Sequence, residues 1–196
     1  MSQARRADVL NRGFSGYNTK WALSALPHVI GSWDGAVHSP DLVTIFFGAN
    51  DASLPDLNAR QHVPVAEYQA NLLQMVGQIR AVAPGARVVI ITPPPVGHAQ
   101  RLEYQKQRYP NSPSGKLERT NETTGRYAAA AAQVAERCEN SALLDLWGTM
   151  QAEKPVDEGW TEFLRCAAPH RDRSRVHQRS TERERERERE STAQHA

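Results

Sequence analysis

Short apolar runs separated by longer stretches of mixed polarity set the pattern of this chain. Val43-Thr44-Ile45-Phe46-Phe47 predicts a buried strand that breaks at Gly48 into the polar loop Ala49-Asn50-Asp51. Val88 to Ile91 is wholly apolar and β-branched, as parallel strands buried on both faces are. Ala142 to Leu146 predicts a further strand. Between the first two runs, Val65, Tyr68, Leu72, Val76 and Ile79 recur at helical spacing, which predicts a helix that begins at Pro64 and stops at Pro84-Gly85. A second helix is predicted from about Leu117 to Arg137, where Ala128 to Ala132 has high helix propensity. At the other end, Asp8 to Asn11 predicts a short strand entering the loop Arg12-Gly13-Phe14-Ser15-Gly16-Tyr17. Asn18 then caps a helix through Trp21, Leu23 and Leu26 that ends at Pro27. Strands alternating with helices predict an α/β fold with a parallel sheet covered on both faces, a three-layer α/β/α arrangement.

The pattern collapses after Leu164. Thr181 to Glu190 contains a strict Glu/Arg alternation, and Arg165 to Ala196 has no periodic apolar set to offset the entropy of ordering it. We therefore expect a domain over residues 1–164 and a disordered Arg/Glu-rich tail over 165–196. The tail holds nine arginines and six acids, a charge of +3, whereas residues 1–164 carry fifteen basic and sixteen acidic side chains. A near-neutral body gives no electrostatic reason to expect nucleic acid as a ligand, and within the tail every Glu/Arg pair cancels. Two cysteines, Cys138 and Cys166, cannot build a disulfide framework, and no apolar run approaches the ~20 residues of a membrane span. A cytoplasmic setting without a membrane span is the expectation.

Candidate chemistry begins at the first strand's end. A glycine followed by a fixed amide at the carboxyl end of a parallel strand can aim a neutral donor at developing negative charge. His28, His38, His62 and His98 are scattered through loops and helix ends with no orienting carboxylate at a suggestive spacing, so exposed or capping roles are expected of them. No His-Glu-x-x-His or paired-cysteine spacing points to a metal.

With these residues in view, the chain resembles the GDSL/SGNH hydrolases from about Asp8 to Leu164. The likeness is carried by Val9-Leu10-Asn11-Arg12-Gly13-Phe14-Ser15-Gly16-Tyr17-Asn18-Thr19, by Thr44-Ile45-Phe46-Phe47-Gly48-Ala49-Asn50-Asp51, by Ile90-Ile91-Thr92-Pro93-Pro94 and by Leu144-Asp145-Leu146-Trp147. It is most similar to the isoamyl acetate-hydrolysing esterase homologs of that family. The resemblance implies a flavodoxin-like parallel sheet and hydrolysis of small acyl esters without cofactor or metal. It implies an oxyanion hole that includes the N–H of Gly16 and the side chain of Asn50, with Pro93 near the substrate. Read without the family, Gly16 is equally a turn glycine at positive φ, and Asn50 a loop amide tying down its own backbone. Asp51 is expected to brace the loop.

The family's Gly-Asp-Ser nucleophile block and its Asp-x-x-His block have no counterpart here. Met1 to Ala7 offers only Ser2, and His170 has Asp172 after it where the family has Asp three residues before. Ser15 neighbours the oxyanion glycine and is not the family's nucleophile. The expectation is thus a carboxylic-ester hydrolase lineage whose present chain is incomplete and inactive, with a non-catalytic, partner-associating fragment as the alternative. An absent first strand would leave sheet edges open to self-association and apolar surface uncovered.

Overall fold

The computed structural model describes residues 8–31, 39–109, 111 and 116–153. The expected domain boundary at 164, the tail, and the residues Ser2, His38, Cys166 and His170 lie outside them.

In chain order the elements are α1 (Thr19–Ile30), β1 (Leu42–Phe46), α2 (Pro55–Asn58), α3 (Val65–Val82), β2 (Arg87–Ile91), α4 (His98–Arg108), α5 (Asn121–Arg137), β3 (Ser141–Leu144) and α6 (Leu146–Glu153). The strands form one parallel sheet in the order β1-β2-β3, with Ile45 opposite Ile90 and Ile90 opposite Leu143. Side chains alternate across a sheet, so this register assigns Val43, Ile45, Val88 and Ile90 to one face. That face holds the core: Val88 and Ile90 are fully buried against Leu72, Met75, Val76 and Ile79 of α3 and Ala131 and Val134 of α5. The opposite face carries Leu42, Phe46 and Leu144, at 55%, 50% and 50% exposure. Here, among the described residues, the sheet is clothed by helices on the α3 and α5 side.

The helical spacing of Tyr68, Leu72, Val76 and Ile79 turned directly into burial, all four being within 2% of complete. Tyr68 meets Tyr127 of α5 edge to face at 5.2 Å, an arrangement contributing about 0.5–1.5 kcal/mol beyond area burial. Both hydroxyls are satisfied: Tyr68 donates to the Phe47 carbonyl at 3.2 Å and Tyr127 to that of Val63 at 2.5 Å. Asn140, at φ 45°, closes α5 toward β3 in a left-handed conformation that asparagine tolerates, and its amide donates to Ala86 O.

Four local expectations are corrected. Residues 8–11 are not a strand; Val9 and Leu10 are 92% and 70% exposed, because β propensity alone forms nothing without a ladder partner. The first helix runs through Pro27 to Ile30, since the proline sits on an exposed side where losing one backbone hydrogen bond is tolerated. The polar stretch before α5, where the lack of an apolar period predicts a loop, contains α4, and the expected strand over Ala142 to Leu146 ends at Leu144 so that Leu146 opens α6.

Candidate functional site

Two loops meet above the carboxyl end of β1. The first is the turn from Gly48 to Asp51. Gly48 adopts φ +114°, and a Cβ there would stand 2.9 Å from Tyr68 Oη and 3.0 Å from Pro93 Cγ, so neither backbone nor space admits a side chain. Asp51 is fully buried. One carboxylate oxygen accepts from the N–H and hydroxyl of Thr19 at 2.8 and 2.5 Å, and the other from Gly48 N at 3.2 Å. Asn71 donates in turn to the Thr19 hydroxyl at 3.1 Å. The carboxylate thereby staples the first turn of α1 to the β1 loop, as the reading of Asp51 as a brace requires. Burial pushes its pKa upward against the opposing pull of those hydrogen bonds.

The second loop carries Gly16. Its φ is +81°, and where a Cβ would project there is open space within 4 Å. Glycine is thus required by conformation, and the vacancy leaves the backbone approachable. Both successive carbonyls of this loop are taken: Gln61 Nε2 donates to Gly16 O at 3.0 Å and Asn50 Nδ2 to Tyr17 O at 2.8 Å. The Gly16 N–H has no hydrogen-bond partner among the described residues. Asn18 fulfils its expected capping role, accepting from Trp21 N at 2.9 Å while donating to Gln61 O.

Arg119, which periodicity and motif both passed over, organises the junction. Its Nη2 donates to Asn50 Oδ1 and Gln61 Oε1, each at 2.8 Å, and its Nε to Ser53 Oγ at 3.3 Å. A guanidinium only donates, so each amide must turn its oxygen toward Arg119 and its NH2 toward the Gly16-Tyr17 carbonyls. Burial, joined by the positive charges of Arg101 and others, pulls Arg119 down to about 10. Asn50 presents two N–H groups, of which Tyr17 O uses one.

A cavity of about 760 Å³ opens beside Gly16, with Ser15, Tyr17, Trp21, Gln61 and Gln105 in its wall. Asn50 and Pro93 are not in that wall. Asn50 is bonded to the carbonyl of the wall residue Tyr17, and Pro93 is buried against the Gly48 turn. The histidines hold structural positions: His98 Nε2 accepts from Asn121 N at 2.9 Å at the start of α5, His62 Nδ1 lies 2.6 Å from Ser53 O, and His28 is exposed. Among the described residues, no serine hydroxyl is bonded to a histidine, no group of three metal-ligating side chains occurs, and no helix is long and apolar enough to cross a membrane.

Comparison with known proteins bears on this arrangement. The bovine (Bos taurus) isoamyl acetate-hydrolyzing esterase 1 homolog is 48% identical over 150 residues, 76% of this chain and 57% of its own length. An Arabidopsis thaliana GDSL esterase/lipase is 45% identical over 150 residues, 75% of this chain and 60% of its own. The chain therefore spans under two thirds of the length of these relatives. Among solved structures, a lipase/acylhydrolase from Enterococcus faecalis superposes with a TM-score of 0.51 at 28% identity, covering 73% of this chain and 58% of that one. The pattern of the GDSL-like Lipase/Acylhydrolase family matches residues 1–164, and the chain belongs to that family.

Proposed function

We propose that this chain carries the ester-binding half of an acyl-ester hydrolase site, with Gly16 and Asn50 as the donors placed to hold the carbonyl oxygen of a small acyl ester. The observation that carries this reading is the Gly16 N–H. Among the described residues it is unpartnered, at a cavity wall, in a loop whose two carbonyls are immobilised by Gln61 and Asn50. A donor held rigid and free of competing acceptors costs no reorganisation when charge appears, which is what oxyanion stabilisation demands. The second N–H of Asn50, whose first is donated to the carbonyl of Tyr17, the residue after Gly16, supplies the second donor. Pro93 serves this site indirectly, by fixing the Gly48 turn that aims Asn50. Family membership supports ester chemistry over other uses of such donors.

No described residue is assigned as nucleophile or general base, because no serine-histidine pair is formed among them. A polypeptide of this sequence is therefore expected to bind short esters and to turn over p-nitrophenyl acetate at or near background. Calorimetric titration with butyl acetate tests the binding role: Asn50→Ala should weaken it by about tenfold, the equivalent of one hydrogen bond. Equal affinity in the variant, or turnover that Asn50→Ala abolishes, would contradict the reading.

A second reading is a non-catalytic module that pairs with another copy of itself, favoured by the half-exposed Leu42, Phe46 and Leu144 on the open sheet face. Size-exclusion chromatography across a concentration series separates the two; a monomer throughout argues against it.

A further inference from the structure

The cavity beside Gly16 is ringed by cations that have no carboxylate partner. Arg60, Arg108 and Lys116 line it, and none forms an ion pair among the described residues. The one acidic side chain in the wall, Glu118, is already bound by Arg101, which lies outside the lining, and has Arg119 Nε at 3.9 Å. Its pKa is held below the ordinary value although burial opposes this, with Arg101 the principal cause of the lowering. Among the described residues, the wall therefore presents three positive charges without an ion-pair partner, in a chain whose residues 1–164 are near neutral.

Two of the cations are laid on aromatic rings. Phe14 stacks on Tyr17 at 4.9 Å, Tyr17 meets Trp21 edge to face at 5.9 Å, and the Arg60 guanidinium lies 5.3 Å from the Trp21 ring centre. On the other wall Arg108 lies 5.7 Å from the Tyr109 ring and donates to Tyr104 Oη at 2.8 Å. A guanidinium packed on a ring keeps its edge N–H groups free and loses little freedom on binding an oxyacid. Gln61, the next residue after Arg60, is the one that holds Gly16 O, so one of the cations is adjacent in sequence to the side chain that fixes the Gly16 loop.

We propose that this cavity takes a small ester carrying an anionic group, a phosphate or a carboxylate, which Arg60, Arg108 and Lys116 hold while the ester faces Gly16. The ester half rests on the reading of Gly16 and Asn50 given above, whereas the anion half stands on the cavity wall alone.

Calorimetry of the full chain at low salt with butyl phosphate, valerate, butyl acetate and inorganic phosphate tests this. Butyl phosphate or valerate should bind about tenfold or more tightly than butyl acetate, the tighter of the two naming the anion, and the preference should shrink as salt is raised. The double variant Arg60→Gln with Lys116→Gln should carry the preference toward unity. Both side chains are exposed, so the unfolding midpoint should not move. Equal binding of the charged and neutral probes, an unchanged preference in the double variant, or inorganic phosphate binding as tightly as butyl phosphate would overturn the assignment. Loss of the ester reading shows differently: butyl acetate indifferent to Asn50→Ala, with the anion preference and its dependence on Arg60 and Lys116 intact.

Discussion

The turns at Gly48 and Gly16 are both glycines at positive φ, and they differ in everything around them. Gly48 sits under Tyr68 and Pro93 with no room for a methyl group, and its N–H is spent on a buried carboxylate. Gly16 faces open space, and its N–H has no partner among the described residues. A fully satisfied turn anchors a fold and an unsatisfied one offers a site, so the hydrogen-bond partner, and not the dihedral angle, separates structure from function here.

That contrast can be broken at its structural end most violently. Gly48→Ala forces a Cβ into Tyr68 and Pro93 at a φ unfavourable to alanine. The summed strain and overpacking should cost about 3 kcal/mol or more, read as a drop in the denaturant midpoint. Gly16→Ala meets no neighbour and should cost only the conformational penalty, about 1–2 kcal/mol. Equal losses at the two positions would erase the distinction.

Next in size is Arg119→Met. It strips charged hydrogen bonds from Asn50, Gln61 and Ser53 at once, and about 2–3 kcal/mol of stability should go with them. The backbone N–H groups of the loop around Gly16 and Tyr17 should then exchange faster, because the Asn50 and Gln61 amides that hold its carbonyls lose their enforced orientation.

Asp51→Asn is expected to cost about 1–3 kcal/mol, since one amide oxygen can still accept from Thr19 while its NH2 faces the Gly48 N–H. Its pH signature is the sharper test. Asp51 has a folded-state pKa above its unfolded value of about 3.9, so its contribution is complete below that value and declines as pH rises through the folded one. The stability gap between wild type and Asp51→Asn should narrow on raising pH above about 4. A gap that widens would mean that the hydrogen bonds outweigh burial.

Much of this was legible beforehand, and the illegible parts share a cause. The runs at Leu42–Phe46 and Arg87–Ile91 and the repeat through α3 are set by burial, which leaves its period in the sequence. Helix α4 is polar around most of its circumference, with only Gln105 buried, so no apolar period announces it. Asp8 to Asn11 does not form the strand that its local pattern predicts, because strand formation depends on a neighbour that a local pattern does not report. The bracing role of Asp51 could be named from its loop, whereas the part played by Arg119 could not. Its partner Asn50 lies 69 residues away, and a lone arginine before a helix carries no sign of what it will meet. The three cations of the cavity likewise come from separate segments and meet only after folding.

The claim that the Gly16 N–H and the Asn50 amide form one receiving site for a carbonyl oxygen is tested most directly by nuclear magnetic resonance. Titrating isotopically labelled protein with butyl acetate should shift the Gly16 backbone amide and the Asn50 side-chain amide together, along one saturable curve, and Asn50→Ala should abolish saturation at Gly16. A Gly16 resonance that never moves, or one that saturates identically without the Asn50 amide, would contradict the account.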